Sequence, residues 1–123
     1  MQTALRTRTV ELHLPYPPSA NHLWVRARHG MRKSSSYVTW LALAAIEARK
    51  QPFSRVEGQY KISIQAARPD KRRRDLDNLL KPISDLLTQI GAIADDSLCD
   101  MLTARWVTTG DGIEVRIEPV GLE

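Results

Sequence analysis

Hydrophobic and polar residues alternate strictly in four segments of the chain, which is the pattern of strands that bury one face. The third and fourth segments flank Thr109-Gly110-Asp111-Gly112, whose two glycines suit the positive φ of a hairpin turn. We therefore predict four strands, with the last two joined as a hairpin. The alternating apolar positions are Val10, Leu12 and Leu14; Tyr60, Ile62, Ile64 and Ala66; Leu102, Ala104 and Trp106; and Ile113, Val115 and Ile117.

A first helix is predicted from Tyr37 to Lys50, and Pro52 prevents it from continuing. One of the three preceding serines, Ser34 to Ser36, is expected to cap its free amides. Its apolar residues occupy most of the helix circumference, which indicates either burial inside one subunit or a subunit interface. The interface candidates are Trp40, Leu41, Leu43 and Ile46.

A second helix is predicted from Asp77 to Ile90, because its apolar residues share one face at the 3.6-residue period and Gly91 is placed to end it. Asp77 and Lys81 are four residues apart and share the opposite face. Pro82 lacks an amide hydrogen, so we expect either an irregular first turn or a late start of the regular helix.

The order of these elements predicts an α+β fold, a small mixed sheet of about four strands with two main helices. Two arrangements fit equally: a crossover unit from Tyr60 through the second helix to Trp106, and a sheet with helices on one face. The segment from Pro15 to Ser36 has no period, and a loop of that length is usually functional or mobile. With 123 residues, the chain is expected to form one domain over residues 1–123.

The amino-acid composition indicates a globular protein and argues against several other classes. The content of 42% hydrophobic and 26% charged residues is near the globular average and argues against a disordered or fibrous chain. The single cysteine, Cys99, excludes an intramolecular disulfide and a Cys-rich zinc site, and we expect it to be a small buried hydrophobe. Neither a signal peptide nor an apolar stretch of about 18 residues is found. We therefore expect a soluble intracellular protein.

Charge is divided unevenly along the chain. Residues 1–94 hold 16 Lys and Arg against 7 Asp and Glu, a local charge of +9, whereas residues 95–123 hold 2 against 7, a local charge of −5. A basic body suits a polyanionic partner such as nucleic acid, because each cation placed on a phosphate releases counterions. A solvated basic surface is the alternative.

The segment from Arg72 to Lys81, RRRDLDNLLK, is followed by a second acidic pair, Asp95-Asp96. It joins phosphate-binding cations to spaced carboxylates at the end of a predicted strand. Mg²⁺ takes oxygen ligands, usually one or two carboxylates with waters and phosphates. Asp75 and Asp77 could therefore hold one ion where the chain is extended or turning, and the second pair could return a third carboxylate.

Each part of this pattern also has a simpler explanation. An Asp at a helix start is the usual cap, an Asp-Asp pair usually lies in a solvated turn, and an arginine run is most often solvated surface. Lys81 could instead form an exposed ion pair along the helix with Asp77 or Asp85. It is the combination of a basic run, spaced acids, a lysine and a second acidic pair that favours a functional site.

Three motifs follow one another at set spacing: Leu14-Pro15-Tyr16-Pro17-Pro18-Ser19-Ala20-Asn21, Arg72-Arg73-Arg74-Asp75-Leu76-Asp77-Asn78-Leu79 with Lys81, and Asp95-Asp96-Ser97. Together they resemble the RusA family of Holliday junction resolvases over most of the chain. The stretch Leu98-Cys99-Asp100 departs from the more aliphatic segment that the family carries there.

The resemblance implies a homodimer on an α+β fold that cuts four-way DNA junctions by paired symmetric nicks, in recombination and repair. Carried over position by position, Asp75, Asp77 and Asp96 match the catalytic metal-binding aspartates. Asp95 matches the neighbouring acid and is a further candidate ligand, and Lys81 matches the catalytic lysine. The implied cofactor is Mg²⁺, with Mn²⁺ as a substitute. A cytoplasmic protein of bacterial or prophage origin, without a small-molecule substrate, is expected on the same grounds.

Cations beyond the acids are candidate contacts to the DNA backbone. They form one group beside the acids and a second in the period-free loop, where His22, Trp24 and His29 interleave with them. Trp24 could stack on unpaired bases or anchor the loop as a hydrophobic residue. The candidate cations are Arg68, Lys71, Arg72, Arg73 and Arg74, and Arg26, Arg28, Arg32 and Lys33.

Two other functions stay open from the sequence. The first is a non-catalytic nucleic-acid-binding protein on the same scaffold, whose acids merely cap the helix. The second is a broader nuclease that acts on RNA or flaps. Cleavage of a synthetic four-way junction, with linear duplex as the control, separates the three.

Overall fold

The structure is a computed structural model that describes residues 8–19 and 22–121. Ala20 and Asn21, the last two residues of the proline-rich motif, lie outside the described residues. No helix in the described part of the chain is long and apolar enough to cross a membrane. The strands are β1 (Val10–Leu14), β2 (Trp24–Ala27), β3 (Gly30–Lys33), β4 (Tyr60–Ala67), β5 (Cys99–Val107) and β6 (Ile113–Pro119), and the α-helices are α1 (Ser35–Arg49) and α2 (Leu80–Ile90).

Four strands form a mixed sheet in the order β1-β6-β4-β5. β4 pairs with β5 in parallel and with β6 antiparallel, and β1 pairs antiparallel with β6. Because α2 lies along the chain between two parallel neighbours, β4, α2 and β5 form a crossover unit, one of the two arrangements that the sequence left open. The alternating apolar positions of β1, β4 and β6 are buried, while their polar neighbours are mostly exposed on the other face. The α+β fold with a four-stranded mixed sheet is confirmed.

The predicted hairpin between β5 and β6 is wrong, because β4 lies between them. The glycines do adopt positive φ, 85° at Gly110 and 66° at Gly112. The turn they form crosses the carboxyl end of β4, where the Ala67 amide donates to the Gly112 carbonyl at 3.0 Å. Alternation identified both strands, but it does not identify the neighbour of a strand.

The first helix begins at Ser35, two residues before the predicted start, because the Ser34 hydroxyl accepts the Tyr37 amide hydrogen at 3.1 Å. Trp40 and Leu41 are buried in the core of the chain. The helix is not buried all round, since three large apolar side chains on it are more than half exposed: Val38, Leu43 and Ile46.

The second helix begins late, as Pro82 predicted. A 3₁₀ turn over Leu76–Leu79 precedes α2. Pro82 falls in the first turn of α2, where backbone amides have no partner within the helix. Gly91 ends the helix with φ 80°.

The period-free segment contains a hairpin that the sequence pattern did not reveal. β2 and β3 pair antiparallel around the turn Arg28-His29, with Ala27 opposite Gly30. Every residue of β3 is exposed, so the hairpin buries no continuous face and leaves no alternation in the sequence. Its base is held by the Ser34 amide, which donates to the Leu23 carbonyl at 2.8 Å.

Candidate active site

The predicted acidic residues form two groups, separated along the chain by α2. Asp75 and Asp77 precede this helix, and Asp95 and Asp96 follow it. Its eleven residues span about 16 Å at 1.5 Å per residue. Along the chain, the first group follows the carboxyl end of β4, and the second precedes the amino end of β5.

The first acidic group has the irregular backbone that the sequence required. Asp75 is extended, with φ −102° and ψ 131°, and Asp77 lies in the 3₁₀ turn that follows. Both side chains are exposed, and neither has an ion-pair partner among residues 8–19 and 22–121. Asp75 lines a cavity of about 400 Å³ together with Tyr16, Arg73, Arg74 and Asn78.

Arg74 beside this group is engaged within the chain. Its guanidinium donates to both carboxylate oxygens of Asp70, at 3.2 and 2.8 Å, and lies 5.5 Å from the centre of the Tyr16 ring. Hydrogen bonds from Arg74 and Arg72 hold the pKa of Asp70 below its usual value. Only 19% of the Arg74 side chain is exposed. Lys71, Arg72 and Arg73 are exposed and could reach a phosphate backbone.

Two aromatic rings connect this basic loop to the sheet. Tyr16, which follows β1, stacks on Trp106 of β5 with centroids 6.4 Å apart and planes 11° apart. Arg68 covers the Trp106 ring at 4.3 Å. Burial, the largest influence, raises the pKa of Tyr16 and outweighs the lowering by Arg74. Sequence reasoning missed Trp106 as a neighbour of the site, because only the strand pairing places it there.

Lys81 forms an ion pair along α2. Its ammonium lies 3.0 Å from Asp85, whose other oxygen accepts the Tyr37 hydroxyl. The hydrogen bond to Asp85 is the main cause that raises the pKa of Lys81, and the negative charge of Asp96 adds to it. Lys81 is therefore a protonated cation within electrostatic reach of the second acidic group. Tyr37 was also missed by sequence reasoning, because its contact with Asp85 joins two helices.

In the second acidic group the two residues differ. Asp95 accepts the Ser97 amide at 2.9 Å and so caps the short 3₁₀ turn over Asp96–Leu98, which holds the pKa of Asp95 below its usual value. Asp96 is exposed and has no ion-pair partner among the described residues. The group adjoins a cavity of about 320 Å³ whose lining includes Lys33, Leu41, Asp85, Thr88 and Gln89.

The three aspartates do not fit a three-carboxylate metal site within one chain. In the part of the chain that the structure describes, no three Asp, Glu, His or Cys side chains come close enough together to hold a metal ion. The donor type suits Mg²⁺, since carboxylate oxygens are its usual protein ligands. The arrangement does not, because the described part of one chain does not group three such side chains.

The second group of cations lies on the β2–β3 hairpin. Arg26, Arg28 and Arg32 are exposed, and Lys33 lies 5.4 Å from the centre of the Trp24 ring. Trp24 packs edge-on against Tyr37, with ring centroids 6.1 Å apart, and it is 38% exposed. It therefore anchors the hairpin while part of its ring remains accessible to solvent. A two-stranded ribbon of this kind fits the DNA major groove.

Cys99 lies at the amino end of β5, opposite Tyr60. It is half-buried rather than fully buried as predicted, and burial raises the pKa of its thiol. Tyr60 is buried, and burial with the charges of Cys99, Asp96 and Asp95 raises its pKa to about 12. The second acidic group therefore lies at the amino ends of β4 and β5.

Known proteins are similar to this chain over most of its length. Residues 15–118 match a family described as Endodeoxyribonuclease RusA. The chain belongs to the RusA family. The crossover junction endodeoxyribonuclease RusA of Enterobacteria phage 82 is 34% identical over 121 residues, which cover 94% of this chain and 98% of the phage protein.

Proteins of the same name from two bacteria are also similar to this chain over most of its length. The protein of the same name from Escherichia coli (strain K12) is 33% identical over 120 residues, 94% of this chain and 98% of its own. That of Aquifex aeolicus (strain VF5) is 28% identical over 115 residues, 89% and 91% of the two chains. The resemblance drawn from the three motifs is confirmed.

Proposed function

We propose that this chain is a crossover junction endodeoxyribonuclease, which resolves four-way DNA junctions by hydrolysing one phosphodiester bond in each of two opposed strands. The observation that carries the proposal is that each acidic group has cations beside it. Arg73 lines the cavity of Asp75, and Lys33 lines that of Asp96. Cations that hold a phosphate backbone next to unpaired carboxylates are what phosphodiester hydrolysis requires.

In the proposed reaction, different residues bind the DNA and carry out the catalysis. The exposed cations of the basic loop and of the hairpin hold the DNA by its phosphates and carry no sequence information. Lys81 offsets negative charge that grows on the phosphate or on the leaving oxygen. Its partner Asp85, held in turn by Tyr37, positions the ammonium. Asp75, Asp77 and Asp96 are the catalytic carboxylates.

We propose Mg²⁺ as the cofactor, with Mn²⁺ as a substitute, on the chemistry of these donors. A bound Mg²⁺ would supply Lewis acidity and a water of lowered pKa. Cleavage should stop in a chelator and return on addition of Mg²⁺. Cleavage that continues in excess chelator would exclude the cofactor.

The working unit that we propose is a homodimer. Resolution needs two symmetric nicks, and one chain supplies one copy of each acidic group. Two copies related by a two-fold axis match the approximate symmetry of the junction. Sedimentation with and without junction DNA is the direct measurement, and a species that makes paired cuts as a monomer would contradict the dimer.

The test of function is junction cleavage by Asp75→Asn, Asp77→Asn and Asp96→Asn chains. Each change should abolish cleavage of a synthetic four-way junction, because Asn keeps the shape but removes the charge. Junction binding should persist or improve, since a negative charge facing the phosphates is lost. An Asp75→Asn chain that cuts at the wild-type rate would remove Asp75 from the site.

The separation of the acidic groups within one chain favours one competing function, a protein that binds junctions without cutting them. Purified wild-type protein with Mg²⁺ decides between the two. A mobility shift of the junction without any nick would establish binding alone. Equal cleavage of linear duplex would instead indicate a broader nuclease.

A further inference from the structure

Tyr37 joins the two helices through its hydroxyl. The residue is fully buried, and the hydroxyl donates to one carboxylate oxygen of Asp85 at 2.5 Å. The other oxygen of Asp85 lies 3.0 Å from the Lys81 ammonium. Burial, the largest influence, raises the pKa of the Tyr37 hydroxyl, and the hydrogen bond to Asp85 raises it further. The hydroxyl therefore remains protonated in neutral solution and can hold the carboxylate.

Lys81 needs such a support to keep a fixed position. It is 59% exposed, and its only ion-pair partner among the described residues is Asp85, four residues further along α2. An exposed pair at this spacing is weak, because it must order two flexible side chains. Asp85 is a firmer partner, since only 21% of its side chain is exposed and Tyr37 holds it from the other helix. The ammonium is thus tied to the core of the protein as well as to its own helix.

Tyr37 also contacts the base of the β2–β3 hairpin, through its ring and through its backbone. The ring packs edge-on against Trp24 of β2 and stacks on Trp40, with planes 24° apart. The Tyr37 amide donates to the Ser34 hydroxyl, and the Ser34 amide donates to the Leu23 carbonyl beside β2. The position of the hairpin base therefore fixes the position of Tyr37.

We propose that Tyr37 is a positioning residue, and that through Tyr37 and Asp85 the base of the hairpin fixes the place of the Lys81 ammonium in the active site. The inference rests on the proposed function, in which Lys81 offsets the negative charge that grows during hydrolysis. It gives the hairpin a second role: its exposed cations bind the DNA, and its base positions a catalytic group.

Lys33 connects these two roles. It ends β3, lies 5.4 Å from the centre of the Trp24 ring, and lines the cavity of the second acidic group. The negative charge of Asp96 in that group also reaches Lys81, whose pKa it helps to raise. Lys33 and Lys81 therefore approach the same acidic group from two elements. Because Trp24 and Tyr37 join these elements, a phosphate bound by Lys33 meets Lys81 at a set distance.

Cleavage kinetics of Tyr37→Phe and Trp24→Leu chains test the proposal. Tyr37→Phe keeps the buried ring and removes only the hydroxyl. It should lower kcat for junction cleavage about tenfold and leave KM unchanged, because the DNA contacts remain while Lys81 is displaced. Trp24→Leu should lower kcat to a similar extent, whatever its effect on KM. Circular dichroism and thermal unfolding establish that each variant is folded, and Trp24→Phe replaces Trp24→Leu if the latter does not fold.

The matched control is Tyr60→Phe, which removes the hydroxyl of another buried tyrosine that contacts Cys99 instead of Asp85. Its kcat should equal that of wild type. A Tyr37→Phe chain with the kcat of wild type would overturn the proposal, and so would an equal loss in Tyr60→Phe. A loss in Tyr37→Phe without any loss in the Trp24 variant would overturn the role of the hairpin.

Competitive acetylation of the lysine amines measures the same position without any cleavage. In the free wild-type protein, Lys81 should react more slowly than the exposed Lys61, because Asp85 holds its ammonium. Tyr37→Phe and Trp24→Leu should each raise the reactivity of Lys81 relative to Lys61 about threefold, and Tyr60→Phe should not. Mass spectrometry of the peptides quantifies the ratio.

The two measurements separate failure of the proposal from failure of the proposed function. A wild type that is inactive on the junction would overturn the proposed function, and the acetylation ratio then still decides whether the hairpin fixes Lys81. A ratio that is unchanged in both Tyr37→Phe and Trp24→Leu would overturn the proposal, even in an active enzyme.

Discussion

At the scale of single residues, the arginines of the basic run are not equivalent. Arg74 and Arg68 cover the two ends of the Tyr16–Trp106 stack, and Arg74 also holds Asp70. They fix the loop to the sheet. The guanidinium of Arg72 comes no nearer than 3.9 Å to Asp70 and is exposed, so it remains available to a phosphate. The sequence predicted one set of cations, whereas tertiary contacts divide it by role.

This division predicts opposite results for two alanine variants. Arg74→Ala should lower the free energy of unfolding by about 1 kcal/mol, because a bidentate pair and a cation–π contact are lost. Arg72→Ala should leave stability unchanged and lower the slope of log K against log salt for junction DNA by about 1. Urea unfolding and salt-dependent binding measure the two effects. An Arg74→Ala chain as stable as wild type would mean that the stack does not hold the loop.

At the scale of elements, both helices and the strands β1, β4, β5 and β6 could be predicted, whereas β2 and β3 could not. Alternation and the 3.6-residue period record burial, so β1, β4, β6 and the apolar face of α2 were visible in the sequence. β2 and β3 bury little and left no period. Pairing is a further step, since β4 separates β5 from β6 although the chain joins them directly.

The turn that crosses β4 gives the prediction at this scale. A Cβ at Gly112 would lie 2.5 Å from the Leu14 carbonyl oxygen, and its φ of 66° disfavours other residues. Gly110 has a similar φ of 85° but nothing within 4 Å. Gly110→Ala should therefore cost about 1–2 kcal/mol through φ alone, and Gly112→Ala clearly more. Thermal unfolding of both variants measures the difference, and equal losses would mean that the turn is free to move away from β1.

At the scale of the whole molecule, the site residues were predictable but their arrangement was not. Motif order named Asp75, Asp77 and Asp96 because each lies in a recognisable local pattern. Their positions at opposite ends of α2 follow from the crossover connection, which no local pattern records. The same topology places β1 at one edge of the four-stranded sheet and β5 at the other.

The last prediction concerns β1, an edge strand of the sheet, where the Gln51 side-chain amide accepts the His13 amide hydrogen at 2.7 Å and donates to the His13 carbonyl at 2.8 Å. Gln51→Ala removes both hydrogen bonds to His13 and one to the Glu47 carbonyl at 3.0 Å. Stability should fall by about 1 kcal/mol, and species larger than the wild-type assembly should appear as concentration rises, because β1 then presents an unpaired edge. Lys50→Ala is the matched control, since it removes only an exposed pair with Glu47. Sedimentation over a concentration series measures the size of the assemblies that each variant forms. If Gln51→Ala sediments and unfolds like Lys50→Ala, the Gln51 amide does not protect the β1 edge.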